Sequence, residues 1–108
     1  MKPLQIVEPA EIEYQEATTW YRDRDPRVAE RFVAETRRTL ELIATFPQIG
    51  GRVYGVDDTD VRQMPIHSFP YHVVFVRLPD RLEVIAFAHN RRRPAYFADR
   101  LRRKRIRE

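Results

Sequence analysis

Apolar residues follow helical spacing in the first half of the chain and strand spacing in the second, with short breaks between the runs. Residues 4–7 form a brief apolar run bounded by Pro3 and Pro9, which predicts a short buried strand. Over residues 10–23, Ala10, Tyr14, Ala17 and Tyr21 recur at steps of four, three and four, with Trp20 beside them, as in one stripe of a helix. Glu11, Glu13 and Glu16 crowd its first turns, where the positive end of the helix dipole favours carboxylates. Asp25-Pro26 then offers an N-cap and a first-turn proline for a second helix. The stripe of that helix is Val28, Phe32, Thr36, Leu40 and Ile43, and it should stop near Phe46, ahead of Pro47. So short a turn predicts an antiparallel hairpin.

Gly50-Gly51 opens a loop with its tip at residues 57–60, after which the period changes from 3.6 to 2. Residues 61–66, 71–78 and 82–89 are three strand-like runs rich in Val, Ile, Phe and Tyr. Their connections are too short for parallel crossovers, so they predict an antiparallel meander, with Pro79-Asp80-Arg81 as the tighter turn. Arg62, Met64 and Ile66 share one face of the first run. Residues 94–106 read as a short helix that frays into a basic tail. The order β-α-α-β-β-β, with helices and strands segregated, predicts an α+β fold: a helical hairpin on one four-stranded, mostly antiparallel sheet.

Composition narrows the class. A chain of 108 residues suits one domain, and 43% hydrophobic with 33% charged residues is globular rather than disordered. Without cysteine there are no disulfides, thiolate nucleophiles or cysteine-bearing metal sites. Residues 1–10 show no secretory signal or membrane span, which makes the cytoplasm the expected location. Charge is uneven: residues 1–60 hold 8 Lys/Arg against 12 Asp/Glu, and residues 61–108 hold 12 against 4. The basic half should attract a polyanion or an acidic partner segment, unless it is only a solvated face.

Four local patterns lie within this frame. They are Ala17-x-x-Trp20-Tyr21 in the first helix, Phe46-Pro47-x-x-Gly50 after the second, Val61-Arg62 leading to Phe69-Pro70-Tyr71-x-Val73, and His89-x-x-Arg92-x-Pro94-x-Tyr96-Phe97 after the last strand. In this order and spacing the chain resembles the RelE/ParE toxin superfamily over residues 4–101, and its tail pattern is closer to the ParE-like plasmid stabilisation proteins. The resemblance implies a type II toxin held inactive in a hetero-oligomer by a small cognate antitoxin encoded beside it, with no cofactor and no membrane association. ParE-like members of the family poison DNA gyrase, whereas RelE-like members cut messenger RNA on the ribosome without a metal.

The cutting reaction needs a base for the ribose 2′-OH, a cation for the charge that builds on phosphate, and an acid for the leaving 5′-oxygen. Arg62, His89, Arg92 and Tyr96 could supply these roles, provided Arg62 approaches the end of the last strand across the sheet. Lysine, on which RelE-like chemistry draws, occurs only as Lys2 and Lys104. That favours the gyrase-directed class, with the ribonuclease as its alternative and a degenerate, non-toxic member as a third reading. Arg91, Arg92 and Arg93 are the densest positive cluster and the expected target-binding residues.

Each of these residues also has a structural reading. His89 could bond a backbone carbonyl, and Tyr96 could close the core with its hydroxyl in water. Trp20-Tyr21 suits an antitoxin anchor, but packing of the hairpin on the sheet accounts for it better. Phe69-Pro70-Tyr71 reads as the opening of the central strand rather than a base-stacking platform. His67, His72 and His89 match no compact metal-ligand spacing, and Asp57, Asp58 and Asp60 read as a solvated turn.

Overall fold

Asp25 ends one helix and begins the next. The computed structural model describes residues 2–101. Helix α1 spans Glu8–Arg24 and α2 spans Pro26–Thr45, with Asp25 as the cap of both. Its extended backbone donates to the Tyr21 carbonyl at 2.8 Å, while its carboxylate accepts from the Arg27 amide at 3.0 Å. Bonds from the Arg27 side chain and amide hold the Asp25 carboxyl below its ordinary range. With Pro26 in the first turn of α2, one residue thus reverses the chain into the hairpin.

The helices bury small and aromatic residues against the sheet. Helix α1 buries Ala10, Ala17 and Thr18, with Tyr14 and Tyr21 half-buried beside them. Helix α2 buries Ala29, Phe32, Thr36, Thr39 and Ile43, so its face is turned slightly from the expected stripe, and Val28 and Leu40 are only half-buried. Thr39 fits that face by donating its hydroxyl to the Glu35 carbonyl at 2.8 Å.

The sheet has five strands in the order β1-β5-β4-β3-β2: β1 Leu4–Ile6, β2 Gly51–Arg52, β3 Val61–Pro65, β4 Tyr71–Arg77 and β5 Leu82–His89. Strand β1 lies parallel to β5, and the other neighbours are antiparallel. The α+β class stands, with two differences from the sequence reading. Gly51 and Arg52, expected in a loop, pair with Gln63 and Arg62 and add a fifth strand. Strand β1 is a half-buried edge rather than a buried strand, which agrees with its flanking prolines. Gly50 makes the first pairing possible: its φ is +101°, and a Cβ there would lie 2.7 Å from the Gln63 carbonyl oxygen.

Both sheet faces are covered. On the helix side Phe32 lies 5.1 Å from both Tyr21 and Phe69 and 5.5 Å from Tyr71, ring centre to ring centre. On the other side Phe97 and Leu101 join Val61, Val74, Val76, Ile85 and Ala88 in a second core. Double coverage explains why β5 is a continuous buried run from Leu82 to Ala88 rather than an alternating one. The C-terminal helix expected from Pro94 begins only at Ala98, after turns at residues 94–97; the remainder of that expected helix, and the tail expected at residues 102–108, lie outside the described residues.

Candidate functional site

Strand β1 covers only the first part of β5. It pairs with Leu82, Glu83 and Val84, the Val7 amide donates to the Val84 carbonyl at 3.1 Å, and the chain then turns into α1. At that point β5 carries a bulge: Val74 pairs with Ala86 while Phe75 pairs with Val84, which leaves Ile85 as an extra residue. Beyond the bulge the Ile85 carbonyl and the Phe87 amide need partners that no strand supplies.

Two side chains take the place of the missing strand. Glu13 Oε1 accepts from the Phe87 amide at 3.1 Å, and Arg100 Nη1 donates to the Ile85 carbonyl at 2.9 Å. The two side chains also pair with each other, at 3.0 Å through Arg100 Nη1 and at 3.2 Å through Arg100 Nη2. Tyr96 completes the group by donating its hydroxyl to Glu13 Oε2 at 2.5 Å. Glu13 and Arg100 are only 14% and 19% exposed, so the pair is screened little by water. Burial first, and then the bond to Glu13, push the Tyr96 hydroxyl well above its ordinary value. It therefore stays a protonated donor.

The basic turn leaves β5 beside this group. His89 ends the strand opposite Tyr71, and its ring meets Tyr71 edge-on at 5.0 Å. Its Nδ1 accepts the Arg91 amide at 3.0 Å, so in the neutral ring Nε2 carries the proton. Arg92 donates its amide to the His89 carbonyl and lays its guanidinium over the Tyr96 ring at 3.9 Å. Arg91 and Arg93 are exposed and form no ion pair among the described residues. Arg92 and His89 border two hollows. One, about 420 Å³, lies between α1 and the ends of β4 and β5. The other, about 160 Å³, opens on the opposite side near Tyr54, His72 and Arg93.

His89, Arg92 and Tyr96 therefore meet, as the ribonuclease reading requires, but Arg62 does not join them. Arg62 pairs with Phe75, four residues along β4 from the Tyr71 that faces His89, a separation of roughly 13 Å at the rise of a strand. Its Nε donates to the Thr59 carbonyl at 2.9 Å. Nor is the Tyr96 hydroxyl in water, as the structural reading supposed, since it is bonded to Glu13. Trp20 and Tyr21 part company. Tyr21 packs on Phe32 and Phe69, whereas Trp20 is 52% exposed, so core packing accounts for only one of them.

The remaining candidates have local partners. Tyr71 begins β4, and Phe69 packs on the helix-side core. His72 Nδ1 contacts Asn90 Oδ1 at 2.9 Å. The Asp60 amide bonds Asp58, and the Asp60 carboxylate pairs with Arg77 at 3.3 Å. Among the described residues, no three His, Cys, Asp or Glu are placed to hold a metal ion, and no helix is long and apolar enough to cross a membrane.

Sequence reasoning missed Glu13 and Arg100 as a pair. Glu13 carried a signal: it lies three residues after Ala10 and four before Ala17, a carboxylate inside the apolar stripe that requires a buried partner. Nothing local marked Arg100 among its neighbouring arginines.

A family model described as the ParE toxin of type II toxin-antitoxin system, parDE, matches residues 4–94. Among solved structures, one titled as the chromosomal ParDE TA system from P. aeruginosa aligns with a TM-score of 0.69, at 15% identity, over 82% of this chain and 96% of that one. The YoeB dimer from Staphylococcus aureus aligns with a TM-score of 0.57, at 11% identity, over 80% of this chain and 93% of that one. No curated protein sequence matches the chain significantly.

Proposed function

Because the chain belongs to the ParE toxin family of type II toxin–antitoxin systems, we propose that it is the toxin of such a pair, a single-domain cytoplasmic protein that arrests growth by poisoning DNA gyrase. A cognate antitoxin neutralises it. The observation that carries the gyrase reading over RNA cleavage is the commitment of the catalytic candidates to other partners. Tyr96 donates its hydroxyl hydrogen bond to Glu13 and, with its ionisation pushed well above the ordinary phenol value by burial and by that bond, keeps its proton at neutral pH. Arg62 is bonded to loop carbonyls elsewhere on the sheet. A transesterification would be left with His89 and Arg92, the latter already stacked on Tyr96.

Target binding then falls to the turn after β5. Its tip shows Arg91 and Arg93 to solvent while Arg92 stacks on Tyr96, an arrangement that holds two cations out from the turn. Expression without an antitoxin should arrest growth, and the purified protein should inhibit gyrase supercoiling. The double variant Arg91→Ala, Arg93→Ala should lose at least about tenfold of that inhibition through two lost charge contacts, with an unchanged melting temperature. Full inhibition by the double variant would refute the role of the turn.

One observation keeps the ribonuclease reading in play: the turn amide that binds His89 Nδ1 leaves Nε2 free beside Arg92, a usable proton carrier next to a cation. Codon-phased cuts in messenger RNA after brief induction, absent with His89→Ala or Arg92→Ala, together with intact gyrase activity, would replace the gyrase reading. Absence of any growth arrest would make the chain a non-toxic family member.

A further inference from the structure

The larger hollow has a wall that neither reading uses. Glu16 and Trp20 stand one turn apart on α1 and so share a face, with Tyr21 beside Trp20 on the same helix and Tyr71 of β4 also lining the hollow. Two carboxylates border the hollow, and they differ. Glu13 is fully engaged by Arg100, Tyr96 and the Phe87 amide, whereas Glu16 is exposed and forms no hydrogen bond or ion pair among the described residues. The Glu16 charge reaches Tyr71 strongly enough to help burial raise that phenol. The hollow thus combines an uncompensated carboxylate with four aromatic side chains, Trp20, Tyr21, Tyr71 and Phe87, of which the indole of Trp20 is half-exposed.

That combination selects for a cation. An aromatic face attracts a guanidinium or ammonium group through its quadrupole, and a carboxylate alongside adds charge and direction. The indole already does this once: the Arg24 guanidinium lies 3.5 Å from its ring centre, in a shallow depression on the outer side of α1. Arg24 does not border the hollow between α1 and the ends of β4 and β5, which keeps its own stretch of Trp20 and Glu16. Arg92 at the far rim would repel a cation there, so the cation belongs at the Glu16 end and a carbonyl or carboxylate at the Arg92 end.

We infer that this hollow is a socket for an arginine or lysine side chain of the antitoxin polypeptide, gripped by Glu16, Trp20, Tyr21 and Tyr71. The inference rests on the reading of the chain as a toxin with a protein partner. Charge complementarity favours that occupant: α1 carries Glu8, Glu11, Glu16 and Asp23 besides the paired Glu13, against Arg22 and Arg24 in its last turn, so the helix is net acidic and favours a basic segment on whatever covers it.

The test uses the one tryptophan of the chain as its reporter, through the NMR signal of the indole N–H in the full-length protein. Acetyl-Gly-Arg-Gly-amide should shift that signal saturably with a dissociation constant on the order of millimolar, as expected for one cation–aromatic contact and one exposed ion pair. The same peptide with citrulline, which has the shape but no charge, should bind at least about fivefold more weakly. Glu16→Gln, an exposed substitution that leaves the melting temperature unchanged, should weaken the arginine peptide about threefold. Equal responses to the two peptides, no response to either, or an unchanged affinity in Glu16→Gln would each overturn the socket. Growth arrest is scored separately. Arrest without a peptide response removes the socket and leaves the toxin, whereas a peptide response without arrest removes the toxin reading and with it the antitoxin as occupant.

Discussion

Strand β5 is buried along nearly its whole length, yet its two halves meet different partners at their outer edge. Leu82, Glu83 and Val84 lie beside the backbone of β1, while Ile85 and Phe87 are bonded by the side chains of Arg100 and Glu13. A neighbouring strand satisfies an edge whatever its side chains are. A side-chain partner satisfies it only with the right residue in the right protonation state. The second arrangement is therefore sensitive to single substitutions, and it lies where the hollow and the basic turn begin. Ending β1 early leaves room for α1 to cross the edge, and the crossing delivers Glu13 to the same few ångströms as Tyr96 and Arg100.

The largest effect that separates the two halves should come from Glu13→Ala. It strands the Arg100 guanidinium, the Tyr96 hydroxyl and the Phe87 amide at once, and breaking a mostly buried ion pair from one side costs about 3 to 5 kcal/mol. Urea unfolding should show that loss, and a loss below about 1 kcal/mol would mean that water replaces the carboxylate without penalty. In the strand-paired half, Val84→Ala removes two fully buried methyl groups and should cost about 2 kcal/mol, leaving every edge hydrogen bond in place. If Val84→Ala proves the more damaging, packing rather than the polar group dominates along β5.

How far this contrast could be read from the chain depends on where each signal sits. The hairpin was legible because Asp25-Pro26 is a local capping signal, and β4 and β5 because long Val- and Phe-rich runs have few other fates. Strand β2 was not, since a two-residue Gly-Arg strand has no period to detect and depends on Gly50 lying against Gln63. The convergence of His89, Arg92 and Tyr96 followed from their closeness in sequence. The separation of Arg62 did not, because it is set by the register of β3 and β4, which period-2 patterning leaves free along the strand. Glu13 was visible but open to two readings: a carboxylate early in a helix also satisfies the dipole, and its true partner lies 87 residues away.

A smaller effect should appear at alkaline pH. The Tyr96 hydroxyl ionises at 10.0 in an unfolded chain and well above that in the folded one. Its contribution is thus fully present below pH 10 and is lost as pH rises, because the unfolded chain gives up its proton first. Tyr21 and Tyr71 shift in the same direction, through burial above all, but sit outside the polar group. Tyr96→Phe should therefore lower stability at pH 7 by about 1 kcal/mol and flatten, without abolishing, the decline above pH 10. Should the decline keep its full slope in Tyr96→Phe, the other two phenols cause it and the Glu13 bond does not.

The finest test replaces charge while keeping shape. In Glu13→Gln the amide oxygen can still accept from Phe87, but the pairing with Arg100 becomes neutral and one accepting oxygen is exchanged for a donor that faces other donors. Hydrogen exchange reads this residue by residue. The Phe87 amide should exchange about tenfold faster, the equivalent of about 1.4 kcal/mol, because its partner is held less firmly. The Val7 amide, bonded to the Val84 carbonyl in the strand-paired half, should be unchanged. Equal acceleration at both amides would mean that β5 opens as one unit and that its two edges differ in geometry but not in how they fail.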